Sequence, residues 1–454
     1  MARPKDRPPL PAGPFLVVGL ARSGQAAARL LAARGEGVIG VDAGSPEGAE
    51  GLRHLGVEVS LDGDGSDLVG RVRCVVKSPG VPGSAPAIAA ARERGLPVLG
   101  ELELAWRLLS NRFVAVTGTN GKTTVCELLG HVWRSAGEQV AVAGNVGTPL
   151  ASLVGQVPAE ATIVCEASSF QLEDAEAFAP ECGVLLNVAA DHLDRHGSLT
   201  EYVAAKLKIF ARQGTGDVCV YNGSEPALRG LDLGGCGRRV AFCREPGASE
   251  DCQAIVERGL LELWGEPLLE TDQLGLIGPH NAENAAAAAA AAAAMGIGRE
   301  AIADGLRDFV GVPHRLERVA ELGGVLYVND SKATNVAAAS AALRSFDRGV
   351  HAILGGSLKG GGFADLAPAV AERCVACYLI GDAAPALERD LAPAWAAGVE
   401  HRRCDGLAAA VAAASEAAEP GEVVLLAPAC ASFDSYRGFE ARGEHFRELV
   451  EGLR

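Results

Sequence analysis

Seven consecutive residues, Gly118-Thr119-Asn120-Gly121-Lys122-Thr123-Thr124, carry the plainest chemistry in this chain. They follow the apolar run Phe113-Val114-Ala115-Val116 and precede a stretch, Val125 to Val132, patterned as a helix. A strand, a glycine-bearing turn and a helix start make a phosphate cradle. Glycines let backbone N–H groups converge on an anion, and the helix dipole adds a favourable potential. Lys122 can reach the β- and γ-phosphates of a nucleotide, and Thr123 can hold Mg²⁺ through its hydroxyl. The spacing departs from G-x-x-x-x-G-K-[ST], because Val116 stands where the first glycine would be.

Other chemistry-bearing residues also sit where apolar runs stop. Glu166 closes Thr162-Ile163-Val164-Cys165. A carboxylate there can bind Mg²⁺ directly or through water, or serve as a turn acid. Gly183-Val184-Leu185-Leu186-Asn187-Val188 leads to Asp191-His192-Leu193-Asp194, an acid–imidazole cluster suited to a metal. Lys206 and Lys208 fall on a helix-patterned stretch, Glu201 to Phe210, where the ordinary expectation is a solvated surface. Asn281 and Asn284 share one helix face and could cap the helix or contact a base. Asn329-Asp330-Ser331-Lys332, Gly355 to Lys359 and Pro428 to Ser432 follow strand-like runs as well. Open α/β sheets bind ligands at the carboxyl ends of their strands. The pattern therefore predicts two facing sites from two domains, with a third domain supplying a handle.

The elements that must position these residues alternate, strand then helix, in three blocks. That alternation predicts an α/β protein with mostly parallel sheets covered by helices. The expected domains are 1–107, Rossmann-like, with 1–14 as a disordered basic, proline-rich tail; 108–312, a central ATP-binding domain of the phosphate-loop type; and 313–454, again Rossmann-like. The first block contains Gly19-Leu20-Ala21-Arg22-Ser23-Gly24, with Asp42 closing the next strand, Val38-Ile39-Gly40-Val41. This nearly matches G-x-G-x-x-G with its distal acid, but Ala21 replaces the middle glycine. Ser78-Pro79-Gly80-Val81 reads as a tight turn at a strand end. A nicotinamide-dependent dehydrogenase would use this first block and leave the phosphate loop unexplained. A non-catalytic nucleotide-binding module is the other rival.

Composition narrows the class. At 454 residues, 48% hydrophobic and 22% charged, the chain is an ordinary globular sequence of several domains. The net charge of −16, from 41 basic and 57 acidic residues, speaks against nucleic acid as a partner. Anionic substrates remain compatible, because the Debye length is about 8 Å at physiological salt and local cations then decide. The twelve cysteines form no regular framework and are expected as buried, reduced thiols. The lone Cys374-x-x-Cys377 lies in a strand-like run and does not suggest zinc. No signal peptide and no membrane span can be seen, so a cytoplasmic location is expected.

The motifs GTNGKTT at 118–124, AGNVG at 143–147, Glu166-Ala167-Ser168-Ser169-Phe170-Gln171-Leu172-Glu173, DHLDRH at 191–196, AAKLKI at 204–209, GPHNAEN at 278–284, HRLE at 314–317, NDSKATN at 329–335, GGSLKGGGF at 355–363 and PACASFDSYRGFEARG at 428–443 run through nearly the whole chain. In this order they resemble the Mur ligases of peptidoglycan synthesis, and within them the D-glutamate-adding branch. Two departures stand out: Ala43-Gly44 where larger polar residues are usual, and Gly362 where an aspartate is usual.

The resemblance implies an ATP-dependent, ADP-forming acid–D-amino-acid ligase that works through an acyl phosphate. Its partners would be UDP-N-acetylmuramoyl-L-alanine, D-glutamate and ATP with two Mg²⁺ ions, and the enzyme would be a monomer. Gly118, Thr119, Asn120, Gly121, Lys122, Thr123 and Thr124 would hold the phosphates, and Asn281, Arg315 and Asp330 the rest of ATP. Thr123, Glu166, His192 and Lys206 would form the metal site, with Lys206 carbamylated. CO₂ adds to a neutral amine, so burial of Lys206 would favour that reaction. Ser23, Asp42, Ser78, Gly80 and Asn145 would lie along the nucleotide-sugar path, and Ser168 and Gln171 would also bind substrate. Lys332, Thr334, Lys359, Ser432 and Phe439 would line the D-glutamate pocket. Another amide ligase of the same superfamily, such as a folylpolyglutamate synthetase, is the nearest alternative.

Overall fold

The computed structural model describes residues 5–189, 193–228, 230–276, 278–358 and 362–454. Three sheets organise the chain. The first orders Glu58–Ser60, Val38–Val41, Phe15–Val18, Cys74–Lys77 and Val98–Gly100, all parallel. Its central strand is buried throughout, as a run of Phe, Leu and Val with helices on both faces must be.

The second sheet has nine strands. Cys252–Glu257, Arg238–Cys243, Val218–Asn222, Cys182–Leu185, Phe113–Thr117, Thr162–Glu166 and Val140–Gly144 pair in parallel. Leu260–Leu263 and Glu266–Glu270 extend it as an antiparallel ribbon. The third sheet orders Glu317–Leu322, Val325–Asn329, Val423–Leu426, Val350–Gly355, Cys374–Ile380 and Glu400–Arg403. Only its first pair is antiparallel.

The chain forms two compact units, Met1–Gln273 with Ala282–Arg307 and Leu274–Asn281 with Asp308–Arg454. The helix Pro279–Ala294 spans the alanine run, and Ala285 to Ala292 are fully buried. Small side chains there allow close packing, so the run serves the core as well as helix propensity. Among the described residues no helix is long and apolar enough to cross a membrane.

Three sequence expectations give way. The tail is ordered from residue 5: Lys5 Nζ lies 2.6 Å from Asp217, and Arg7 donates to the carbonyls of Trp106 and Asn111. The Arg7 guanidinium stacks 4.8 Å from the Trp106 ring, and burial pulls its pKa down to about 10. Proline-rich segments without their own secondary structure can still dock when each cation finds carbonyls and an aromatic face. Cys243 and Cys252 are joined in a disulfide between neighbouring parallel strands, whereas the other cysteines described are not disulfide-bonded. Lys208 is half-buried and donates to the Glu173 carbonyl, so it is not a solvated lysine.

One buried acid gives a pH prediction. Glu101 opens the helix Glu101–Leu108, and its Oε1 accepts the Ala151 amide at 2.7 Å. Burial raises its pKa to about 7, opposed in part by the amides of Ala151 and Leu150. The folded state therefore keeps a proton that the unfolded chain releases near its ordinary value of 4.5. Stability falls as pH rises between those two values and is then level. Glu101→Gln should remove the share of that slope due to Glu101, with Asp330 keeping its own, and stabilise the protein above pH 7 by on the order of 3 kcal/mol. Urea unfolding at pH 5 and pH 8 checks this; an equal stability gain at both would remove the titration argument.

Candidate active site

Parallel pairing brings the functional residues of the second sheet to one edge. Val116 pairs with Glu166, Thr117 with Leu185, and Gly144 with Glu166. Gly118 to Gly121 therefore leave their strand beside Glu166 and turn into the helix Lys122–Ser135. Gly121, at φ 85°, needs to be glycine: a Cβ would lie 2.5 Å from Asn284 Oδ1. Gly144 is equally constrained, since a Cβ would fall 2.2 Å from the Glu166 carbonyl oxygen.

Glu166 is 4% exposed. Its Oε2 accepts from Thr123 Oγ1 at 2.8 Å and its Oε1 from Asn145 Nδ2 at 3.0 Å. Lys122 Nζ donates at 2.9 Å to the carbonyls of both Gly118 and Thr119. Lys206, 1% exposed, donates to the Gly118 carbonyl at 2.7 Å and sits 4.3 Å from the centre of the Tyr202 ring. Two lysines, a carboxylate and a hydroxyl thus gather around one phosphate loop. Hard oxygen donors, such as Thr123 Oγ1 and Glu166, fit Mg²⁺ in kind. Asp191, His192 and the side chain of Asp194 lie outside the described residues. Among the described residues no cluster of three His, Cys, Asp or Glu side chains forms a metal site.

Two residues of this site were not singled out from sequence. Asn187 Oδ1 accepts the amides of Thr119 and Asn120 at 3.1 and 2.9 Å, and its Nδ2 donates to the Asn120 carbonyl. It braces the loop from the neighbouring strand, and the strand-end rule could have found it. Tyr202 OH meets Thr119 Oγ1 at 3.2 Å. An aromatic on an amphipathic helix gives no such signal. Ser168 and Gln171 bond one another in a capping box at the start of the helix Ser169–Glu173.

In the first sheet, Asp42 is occupied by backbone: Leu20 N donates to Oδ2 at 2.6 Å and Gly44 N to Oδ1 at 2.9 Å. The small Ala43-Gly44 pair permits that turn. Ser23 is the second residue of the helix Arg22–Ala33. Ser78 is buried and Gly80 exposed in the loop after Cys74–Lys77.

In the third sheet, Asp330 is buried, which raises its pKa to about 7 against the pull of the Leu316 amide and Arg315. Lys332 Nζ lies 3.7 Å from the centre of the Phe439 ring, and Ser432 is buried nearby in sequence. Lys359 lies outside the described residues. Arg442, fully buried, ties the strand-end loops together by donating to the carbonyls of Ser331, Gly355, Cys430 and Ala431. Burial lowers its pKa to about 10. His314, Leu316 and Ala429 hold left-handed backbone at φ 63°, 44° and 57°, strain that clusters at this end of the sheet.

The fold defines a three-domain α/β protein whose second sheet carries a candidate phosphate cradle. Family models match it along most of its length: the Mur ligase MurD-like N-terminal domain at residues 14–100, the Mur ligase middle domain at 116–292, and the Mur ligase glutamate ligase domain at 314–430. The chain is 44% identical over 446 residues to the UDP-N-acetylmuramoylalanine–D-glutamate ligase of Pelotomaculum thermopropionicum, covering 97% of each chain. It is 43% identical over 446 residues to the protein of that name from Acidobacterium capsulatum, covering 96% of this chain and 95% of that one. The fold is shared with the UDP-N-acetylmuramate-alanine ligase of Thermotoga maritima, with TM-score 0.60, 20% identity and coverage of 97% and 100%. The chain belongs to the Mur ligase family.

Proposed function

We propose that this protein is an ATP-dependent ligase that adds D-glutamate to UDP-N-acetylmuramoyl-L-alanine. The observation that carries the chemistry is the contact between Thr123 and Glu166 beside Lys122, at the ends of adjacent parallel strands. The name shared by its relatives supports the substrates. The carboxylate of the nucleotide sugar attacks the γ-phosphorus of ATP and ADP leaves. The amine of D-glutamate then attacks the acyl carbon, the bond to phosphate breaks, and the amine nitrogen loses a proton.

The physical difficulty is the gathering of anions. Lys122 neutralises phosphate oxygens, and loop amides from Gly118 to Thr124 supply further donors. Thr123 and Glu166 would hold Mg²⁺, with His192 as a further ligand; bound there, the ion neutralises phosphate charge. Lys206 is buried beside the Gly118 carbonyl, and a carbamate formed on it would supply a carboxylate for a second ion. Asn281, Arg315 and Asp330 are assigned to ATP, and Lys332, Thr334, Lys359, Ser432 and Phe439 to D-glutamate. Ser23, Asp42, Ser78, Gly80 and Asn145 are assigned to the nucleotide sugar. Ser168 and Gln171 would act there through the helix they cap. A cytoplasmic monomer fits these substrates.

Phosphate release measured with UDP-N-acetylmuramoyl-L-alanine, ATP and a panel of amino acids tests the assignment. Release only with D-glutamate is expected. Release that requires a folate in place of the nucleotide sugar would move the protein to another branch of the superfamily.

A further inference from the structure

Open parallel sheets bind ligands where the strand order reverses. In the first sheet that point falls between Phe15–Val18 and Cys74–Lys77. The loops leaving these two strands touch: Ser78 N donates to the Val18 carbonyl at 3.0 Å, and a Cβ at Gly19 would fall 2.6 Å from Val81 Cγ2. One wall of this crevice is therefore the loop Ser78–Gly83.

That loop is gripped by the end of its own strand and by side chains from beyond the sheet. Lys77, wholly buried, places Nζ 2.7 Å from Asp174, itself 4% exposed, and 3.0 Å from the Val81 carbonyl. Arg92 donates to the Gly83 carbonyl at 3.0 Å and reaches Asp174 at 3.6 Å. Arg195 donates to the Val81 carbonyl at 2.9 Å while its guanidinium lies 4.0 Å from the centre of the Phe170 ring. Asp174 follows directly on the helix Ser169–Glu173, whose capping residue Ser168 stands two positions after Glu166. A short run of chain, Glu166 to Asp174, thus links the phosphate site to the crevice wall.

We propose that Lys77, Asp174 and Arg195 are positioning residues for the nucleotide-sugar crevice, presetting the Ser78–Gly83 loop, with Asp174 at the end of the helix that leaves the phosphate site and Arg195 packed on its Phe170. A buried ion pair is weak evidence for stability, since apolar replacements often do as well. This one directs its cation at a loop carbonyl, which an apolar pair could not do. The inference rests on the substrate reading above.

The test compares the wild type with Lys77→Met/Asp174→Leu and with Arg195→Ala, the latter in case the buried double variant folds poorly. KM for UDP-N-acetylmuramoyl-L-alanine should rise by about ten- to a hundredfold in the double variant, the range expected for lost charged hydrogen bonds. KM for ATP and D-glutamate should stay within about twofold, a difference too small to mark a lost interaction. Calorimetric affinity for the nucleotide sugar alone should fall in parallel, with Tm near the wild-type value. Arg195→Ala should show the same split, smaller in size. Unchanged nucleotide-sugar affinity in both variants, or an equal rise in all three KM values, would overturn the positioning role while leaving the function intact. A wild type that neither binds nor turns over this nucleotide sugar would instead overturn the substrate reading and the inference with it.

Discussion

Lys122→Ala should lower kcat by about 10²–10³, the usual loss when one preorganised electrostatic stabiliser is removed. The side chain now donates to two loop carbonyls, those of Gly118 and Thr119. In the proposed reading the same Nζ would turn to phosphate oxygens when nucleotide binds, where no neutral side chain could replace it. The rest of the cradle is backbone, held by Asn187, so the variant should keep its fold and much of its nucleotide affinity. Circular dichroism and nucleotide titration check the fold; single-turnover phosphate release checks the chemistry. Wild-type turnover in a folded Lys122→Ala protein would dismiss the assignment.

Lys206→Ala should be equally damaging, by about 10²–10³, if its carbamate holds a metal ion. The amine is buried beside Tyr202 and bonded to the Gly118 carbonyl, so two roles compete. As a carbamate it would be replaced in part by a short carboxylic acid, such as acetate, diffusing into the space left by the side chain. As a brace for Gly118 it would not, and nucleotide affinity would fall as well. Activity restored severalfold by acetate is the expected result. A loss without rescue, accompanied by weaker nucleotide binding, would assign Lys206 to the loop and not to the metal.

The strand-end rule made much of the site legible. Glu166 and the phosphate loop could be placed together because parallel strands with buried apolar runs must end at a common edge. The extra antiparallel ribbon Leu260–Glu270 was not legible, since its alternation is half polar and it follows no helix. The disulfide between Cys243 and Cys252 could not be told from other cysteines in strand runs, because only the register of two strands brings them together. Arg442 gave no signal either: an arginine on an amphipathic helix normally reaches solvent, and here it is buried among carbonyls.

The amino-acid order alone determined the three α/β blocks, the phosphate cradle and the edge on which polar groups collect. These follow from local rules: apolar periodicity, glycine where the backbone must turn left, and the carboxyl ends of strands. Only the folded molecule decided which polar groups are spent on the protein itself. Asp42 accepts the amides of Leu20 and Gly44, Ser168 and Gln171 cap a helix, and Lys77 finds Asp174 far along the chain. A buried polar group must find a partner wherever the packing supplies one, and that partner is set by contacts distant in sequence.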